Sequence, residues 1–381
     1  MTDDVIPEQT ILIVDDDEKI GLALAEGLET AGRHILVCRD VESADLVLEQ
    51  CPVTHVITDI KFGGAFGFEG LQVIDHVKQK LQMAPVIAMS GHATEELRKE
   101  ARARGAVALL QKPFRIEDVE ALIPFTEGRE KGNVTILPTI DEIVEGNILR
   151  SVFQPIVWID DGARAVGFEA LSRLQIESPL SNPESLFRYA AAKKRVVDLE
   201  VKALRTAIHS GKELTKLGFL SLNIHPELFS FPDLLCDELF SATEEAHVPL
   251  QRIVVEITEQ GPLPELSSVD AVSSILRSHG VRLGFDDLGI GHSHLRAMAA
   301  VRPSYLKISQ HFGTSCENNP TNRKIIENLE GLARSFSAEV VLEGIETLAT
   351  ASFAHSMGIR FGQGFYYSPP VEATQLLSRY R

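Results

Sequence analysis

Acidic residues recur in this chain where apolar, β-branched runs stop. Val254-Val255-Glu256-Ile257-Thr258-Glu259, Leu283-Gly284-Phe285-Asp286-Asp287 and Val340-Val341-Leu342-Glu343-Gly344-Ile345-Glu346 share this form. Gly167-Phe168-Glu169-Ala170-Leu171 reads the same way, and Leu220-Ser221-Leu222-Asn223 lies between them. A buried carboxylate is costly unless it is paired or binds a cation. Several at similar strand positions, about one strand-plus-helix unit apart, point to one convergent metal site. Glu169, Asn223, Glu256 and Asp286 are hard oxygen donors suited to Mg²⁺ or Mn²⁺. The tandem Asp286-Asp287 could hold a second ion, with Asp286 bridging. Two ions ~3.5–4 Å apart form a clamp for in-line phosphodiester hydrolysis. Lys307 could orient the attacking water or stabilise phosphate charge, and Glu343 is a candidate base. One such acid alone more often caps a helix or pairs with an arginine; the ordered set carries the reading.

A second constellation occupies the first 126 residues. Asp15, Asp16, Asp59, Ser90 and Lys112 each follow or end a short apolar run. Three carboxylates can hold a magnesium ion, and a hydroxyl and a lysine beside them suit a phosphoryl group.

Both constellations need strands to deliver them. Ile11–Val14, Ile35–Val37, His55–Asp59, Pro85–Ser90 and Ala108–Gln111 are apolar runs separated by amphipathic helical stretches. That alternation predicts a doubly wound, five-stranded parallel sheet, whose sites form beyond the carboxyl ends of its strands. A polar segment with two glycines, Glu127–Asn133, predicts a linker, giving domains at 1–126 and 141–381 with residues 127–140 between. From about Asp141 some eight further strands alternate with helices, and Asn182-Pro183-Glu184 signals one helix start. The length is near that of a (β/α)₈ barrel, which also gathers active-site groups at strand carboxyl ends.

The first segment resembles a response-regulator receiver domain, whose fold is flavodoxin-like. The resemblance implies Asp59 as phosphoacceptor, Asp15 and Asp16 as ligands of one Mg²⁺, and Ser90 and Lys112 as phosphate contacts. A sensor histidine kinase would be the partner. Two departures stand out: Asp59 is followed by Ile60-Lys61-Phe62-Gly63-Gly64, a Gly-rich loop where a Met-Pro pair is usual, and Leu109 stands where many members carry an aromatic switch residue.

Residues 141–381 resemble the EAL-domain phosphodiesterases, which hydrolyse cyclic di-GMP to linear pGpG. Phe153-Gln154-Pro155-Ile156-Val157 matches the opening substrate motif, and Glu169-Ala170-Leu171 is the signature, followed by Arg173 at the phosphate position. Asn223, Glu256-Ile257-Thr258-Glu259, Asp286-Asp287-Leu288-Gly289, Lys307-Ile308, Glu343-Gly344-Ile345-Glu346 and Gln363-Gly364-Phe365 follow in order. The resemblance implies two ions, Mg²⁺ or Mn²⁺, on Glu169, Asn223, Glu256, Asp286 and Asp287. It makes Glu343 base or water ligand and Lys307 a water and phosphate contact. Gln154, Leu171, Arg173 and Gln363 become substrate contacts, with Glu259 and Glu346 supporting the loop and the ligands. The loop departs from the family, with Leu288, Ile290 and His292 in place of Phe, Thr and Tyr. A barrel that binds cyclic di-GMP or a protein without hydrolysis is therefore the alternative. A homo-oligomer, dimer or higher, is expected.

Composition narrows the partners. Acidic residues number 54 against 37 basic, a formal charge of −17. DNA is not expected as a partner, because phosphate binding is driven by Lys and Arg. No apolar run approaches a membrane span, and the N-terminus lacks the pattern of a signal peptide. Cys38, Cys51, Cys236 and Cys316 are scattered, so free packing thiols in a cytoplasmic protein are expected.

Overall fold

The computed structural model describes residues 9–62, 69–81, 83–123, 132–159, 162–258, 263–288 and 295–380. The chain forms two compact units. One comprises Met1–Ile148 with Leu174–Lys194, the other Leu149–Arg173 with Arg195–Arg381.

The first unit is built on β1 (Gln9–Val14), β2 (Arg33–Cys38), β3 (His55–Asp59), β4 (Val86–Ser90), β5 (Ala106–Gln111) and β6 (Asn133–Ile136), in the order β5-β4-β3-β1-β2-β6. All five neighbouring pairs are parallel. The intervening helices are α1 (Glu18–Leu28), α2 (Val41–Gln50), α3 (Glu69–Lys80), α4 (Glu95–Arg104) and α5 (Ile116–Glu120). Ile11, Ile13, Ile35, Val37 and Ile57 pack beneath Leu24 and Leu28 of α1 and Val119 of α5. Leu12, Leu36 and Val56 alternate to the other face and are equally buried, so both faces of the sheet are covered.

The sheet has one strand more than the five expected. β6 lies inside the predicted linker and pairs with β2, with Val134 and Ile136 packed against the core. Two apolar residues at alternate positions were enough to extend the edge. Two further helices complete this unit: α6 (Ile140–Glu145) and α7 (Pro183–Ala192). The expected start of α7 is present, with Asn182 Oδ1 accepting the Glu184 N–H at 3.1 Å and Pro183 in the first turn.

The second unit is a closed barrel of β7 (Leu149–Trp158), β8 (Ala165–Leu174), β9 (Phe219–Ile224), β10 (Ile253–Ile257), β11 (Arg282–Leu288), β12 (Tyr305–Ile308), β13 (Glu339–Leu342) and β14 (Phe361–Gly362). It departs from an all-parallel (β/α)₈ barrel at one strand: β7 runs antiparallel to β14. Only residues 159–164 separate β7 from β8. That is too short for the helical crossover a parallel pair requires.

Period-two alternation then sorts the barrel interior into layers. Ile156, Phe219, Val254, Tyr305, Val341 and Phe361 form one apolar cluster that plugs the barrel. Two positions further toward the mouth stand Gln154, Ser221, Glu256 and Lys307 on the same strands, with Glu343 and Gln363 one residue past the ends of β13 and β14. Because β7 is reversed, Gln154 precedes Ile156 in sequence yet lies at the same end as the others. Gly167 makes room for the plug, since a Cβ there would meet the Phe219 ring at 2.4 Å.

Candidate active site

Lys307 stands at the centre of the mouth. Its side chain is 0% exposed, and its Nζ lies 3.0 Å from Glu169 Oε2, 3.4 Å from Glu256 Oε2, 2.9 Å from Asp286 Oδ1 and 2.8 Å from Glu343 Oε1. The strand register makes this possible. Asn223 on β9 faces Glu256 on β10, which faces Gly284 on β11. Between Phe285 and Leu288 the β11–β12 register slips, and Asp287 takes a φ of 55°. Such a bulge re-aims side chains. Asp286 and Asp287, consecutive in the chain, thus both offer oxygens near Glu343.

Amide side chains hold the opposite wall. Asn223 Nδ2 donates to Glu169 Oε1 at 2.6 Å, and Gln363 Nε2 donates to Glu169 Oε2 at 2.6 Å. Gln363 Nε2 also donates to Gln154 Oε1 at 2.8 Å, and Gln154 Nε2 to the Ser368 carbonyl at 3.0 Å. Gln363 is set by the backbone: its N–H donates to Leu342, and Gly364 behind it could not carry a Cβ, which would fall 2.1 Å from the Ile345 carbonyl oxygen.

The charges do not balance with one lysine. Burial pushes the Glu256 carboxyl up to about 8, only partly offset by Lys307, and the Asp286 and Glu169 charges add to the rise. Burial likewise raises Asp286 to about 6 and Glu343 well above its ordinary range. Burial also opposes ionisation of Glu169, yet Lys307, Gln363 and Asn223 together draw it below its usual value. Burial alone would lower Lys307, but its four carboxylates outweigh it and hold the ammonium charged. Two triads of carboxylates, Glu169–Glu256–Asp286 and Asp286–Asp287–Glu343, each place one oxygen per residue within 4.8 Å of the others. Asp286 belongs to both. Asn223 Oδ1 is buried without a hydrogen-bond partner. Excess buried carboxylate plus an orphaned amide oxygen is the donor set of a hard divalent cation.

The remaining expected site residues lie around this centre. Leu171 and Arg173 are half-buried on β8, and Arg173 Nη1 donates to the Ser172 carbonyl at 2.7 Å. Glu346 is exposed and forms no ion pair among the described residues. Glu259, Ile290 and His292 lie outside the described residues. Sequence reasoning missed Lys307 as a shared counter-ion for four acids, and it missed Glu200. The Glu200 carboxyl is buried on α8 (Val196–Gly211) and accepts the His225 N–H at 3.0 Å, two residues beyond Asn223. No local pattern announces Glu200, and none announces that Lys307 serves four acids at once.

In the first unit Asp15, Asp16 and Asp59 form a third carboxylate cluster, again within 4.8 Å. Lys112 Nζ lies 2.7 Å from Asp15 Oδ2 and 3.0 Å from Asp59 Oδ2. Burial raises the Asp15 carboxyl, with Lys112 opposing the rise. Ser90 is buried at the end of β4, and its Oγ accepts the His92 N–H at 3.2 Å. Leu109 is buried on β5.

Residues 139–370 match the EAL domain family, and residues 11–124 match the response regulator receiver domain family. A barrel with such a mouth, preceded by a parallel sheet with its own acid cluster, defines the receiver–EAL class. The chain belongs to the EAL domain family and carries an N-terminal receiver domain. It is 25% identical to the cyclic di-GMP phosphodiesterase RocR of Pseudomonas aeruginosa, across 96% of this chain and 97% of that one. It is 30% identical to the Escherichia coli cyclic di-GMP phosphodiesterase PdeL over 34% of this chain and 36% of that protein. The chain thus spans nearly all of RocR but about a third of PdeL. Among solved structures, the EAL enzyme Bd1971 in its cGMP-bound form covers 63% of this chain and 66% of its own, at 25% identity and a TM-score of 0.57. Klebsiella pneumoniae BlrP1 in a calcium/cyclic di-GMP complex covers 60% of this chain and 57% of its own, at 27% identity and a TM-score of 0.51. Among the described residues no helix is long and apolar enough to cross a membrane.

Proposed function

We propose that this protein is a two-component response regulator whose barrel hydrolyses cyclic di-GMP to pGpG with two Mg²⁺ or Mn²⁺ ions. The observation that carries the reading is Asp286, shared by two carboxylate triads. Glu169, Asn223, Glu256 and Asp286 would hold one ion, and Asp286 with Asp287 the other. Such ions neutralise phosphate charge and lower the pKa of bound water. Glu343 would then accept the proton of the attacking water, and Lys307 would orient that water while offsetting charge on the phosphodiester. Gln363, which donates to Glu169, and Gln154, which accepts from Gln363, would contact the substrate, as would Leu171 and Arg173. Glu259 and Glu346 would support the loop and the ligands.

In this reading residues 1–126 act as the receiver, 127–140 as the connection and 141–381 as the phosphodiesterase. Asp59 takes the phosphoryl group, Asp15 and Asp16 hold Mg²⁺, and Ser90 and Lys112 steady the phosphoryl oxygens. A sensor histidine kinase in the cytoplasm supplies the phosphate, and the active form is a homo-oligomer. The test is incubation of the full chain with cyclic di-GMP and Mg²⁺ or Mn²⁺, with products separated by chromatography. Appearance of pGpG supports the hydrolase. Binding of intact nucleotide with no pGpG would make the barrel a receptor instead.

A further inference from the structure

The segment Leu174–Lys194 lies within the EAL match, yet it belongs to the compact unit of the receiver. It is held there by α7, which packs on α2. The contacts run along both helices in opposite directions. At the C-terminal end of α2, Gln50 donates to Ser185 Oγ and Glu49 pairs with Arg188. At its N-terminal end, Tyr189 Oη donates to Asp40 Oδ2 at 2.6 Å. Lys193 Nζ lies 3.2 Å from Glu42 and 3.4 Å from Asp40. The α2 side contributes acids at Asp40, Glu42 and Glu49, and α7 answers with Arg188 and Lys193. Tyr189 is fully buried, and the proton of its hydroxyl goes to Asp40.

Asp40 is tied to the phosphoryl site as well. Its Oδ1 caps α2 by accepting the Ser43 N–H at 2.8 Å. Two residues earlier, the Cys38 carbonyl accepts the Asp15 N–H at 3.1 Å. Asp15 in turn shares Lys112 with Asp59. Phosphate on Asp59 would recruit Lys112 and change what Asp15 must balance. At the other end, Leu174 follows Arg173 directly, and Glu169 lies on the same strand. The segment thus leaves the barrel wall at β8 and returns to it at α8.

We infer that the α2 face of the receiver is the docking surface for the chain's own 174–194 segment, and that the Asp40–Tyr189 contact relays the state of Asp59 to the strand bearing Glu169 and Arg173. This rests on the receiver control proposed above, and it locates the output on α2 rather than at Leu109. Tyr189 is a positioning residue in this scheme; it touches neither metal nor substrate.

The experiment uses the full chain with Mg²⁺ and acetyl phosphate, which transfers its phosphoryl group to Asp59 and releases acetate. Two readouts are taken: cyclic di-GMP turnover, and backbone hydrogen exchange over 183–193. Wild type is expected to change turnover ~5-fold or more, with a change of exchange in α7. Tyr189→Phe, which keeps the ring and removes only the hydroxyl, should still take phosphate but respond less than ~2-fold. Lys193→Ala, at a half-buried position, should give an intermediate response and guards against a folding defect. Tyr189→Phe responding as fully as wild type in both readouts overturns the relay while leaving receiver control intact. A phosphorylated wild type unchanged in both readouts overturns receiver control and the relay with it. If no pGpG forms in any sample, the exchange readout decides alone.

Discussion

Lys307 Nζ and Glu343 Oε1 are 2.8 Å apart, and the lysine is 0% exposed. The same ammonium also lies against Glu169, Glu256 and Asp286. It is therefore the charge that lets these acids share a dry space before any ion is bound. Removing one partner of a buried ion pair costs about 3–5 kcal/mol. Lys307→Met should lower the metal-free melting temperature and abolish turnover. Added Mg²⁺ or Mn²⁺ should raise the melting temperature of the variant more than that of wild type. Thermal unfolding with chelator and with metal measures this; equal melting in chelator would show that the lysine does not stabilise the acids.

Chelation should abolish turnover, and Mg²⁺ or Mn²⁺ should restore it. Ca²⁺ should allow nucleotide binding without turnover, because its larger and looser coordination misplaces the attacking water. Binding should also stabilise the fold by mass action, about 2.7 kcal/mol at a hundredfold excess over Kd. Turnover in the presence of chelator, or equal turnover with Ca²⁺, would remove the two-ion mechanism.

Glu169→Ala and Glu343→Ala should both abolish pGpG formation but differ in binding. Glu169 is gripped by Asn223, Gln363 and Lys307, so its loss frees both amides and weakens cation binding. Glu343 belongs only to the Asp286–Asp287 triad. Its loss should leave nucleotide affinity within about tenfold of wild type, or roughly 1.4 kcal/mol. Titration calorimetry with Ca²⁺ present separates the two. Equal loss of affinity in both variants would contradict the division of labour.

Glu200 gives a pH signature. Burial pushes its folded-state carboxyl up from an ordinary 4.5 to about 8. The unfolded chain releases this proton above about pH 4.5, whereas the folded chain keeps it until near pH 8. Its contribution is therefore fully present below pH 4.5 and is lost as pH rises through that window. Glu200→Gln retains an acceptor for the His225 N–H and has no proton to lose. Its stability relative to wild type should grow between pH 5 and pH 8.5, by on the order of 4 kcal/mol. Denaturant unfolding at the two pH values checks it, and a pH-independent difference would refute the assignment.

Much of the site was readable in the sequence because a strand repeats every two residues. Once Val254 and Tyr305 are taken as core, Glu256 and Lys307 must face the same interior. The reversed strand β7 hides this logic for Gln154, which sits at the mouth although it precedes its apolar neighbour. The brevity of residues 159–164 was the available clue. Strand β6 escaped because Val134 and Ile136 sit in a polar stretch beside two glycines. The Tyr189–Asp40 contact joins residues 149 positions apart, and no local periodicity announces such a pair. Glu259 and the loop residues Ile290 and His292 lie outside the described residues.

The first compact unit is assembled from two separate stretches of chain, with the second borrowed from between β8 and α8. Fusion proteins are commonly thought of as beads exchanged by a single cut in a connecting string. Here a cut between residues 124 and 139 would part α2 from α7 and take Asp40 away from the buried Tyr189. The receiver and the barrel are thus not freely interchangeable cassettes. A receiver exchanged at that point would have to present to α7 the same partners that α2 presents now, acids at Asp40, Glu42 and Glu49 opposite Tyr189, Lys193 and Arg188.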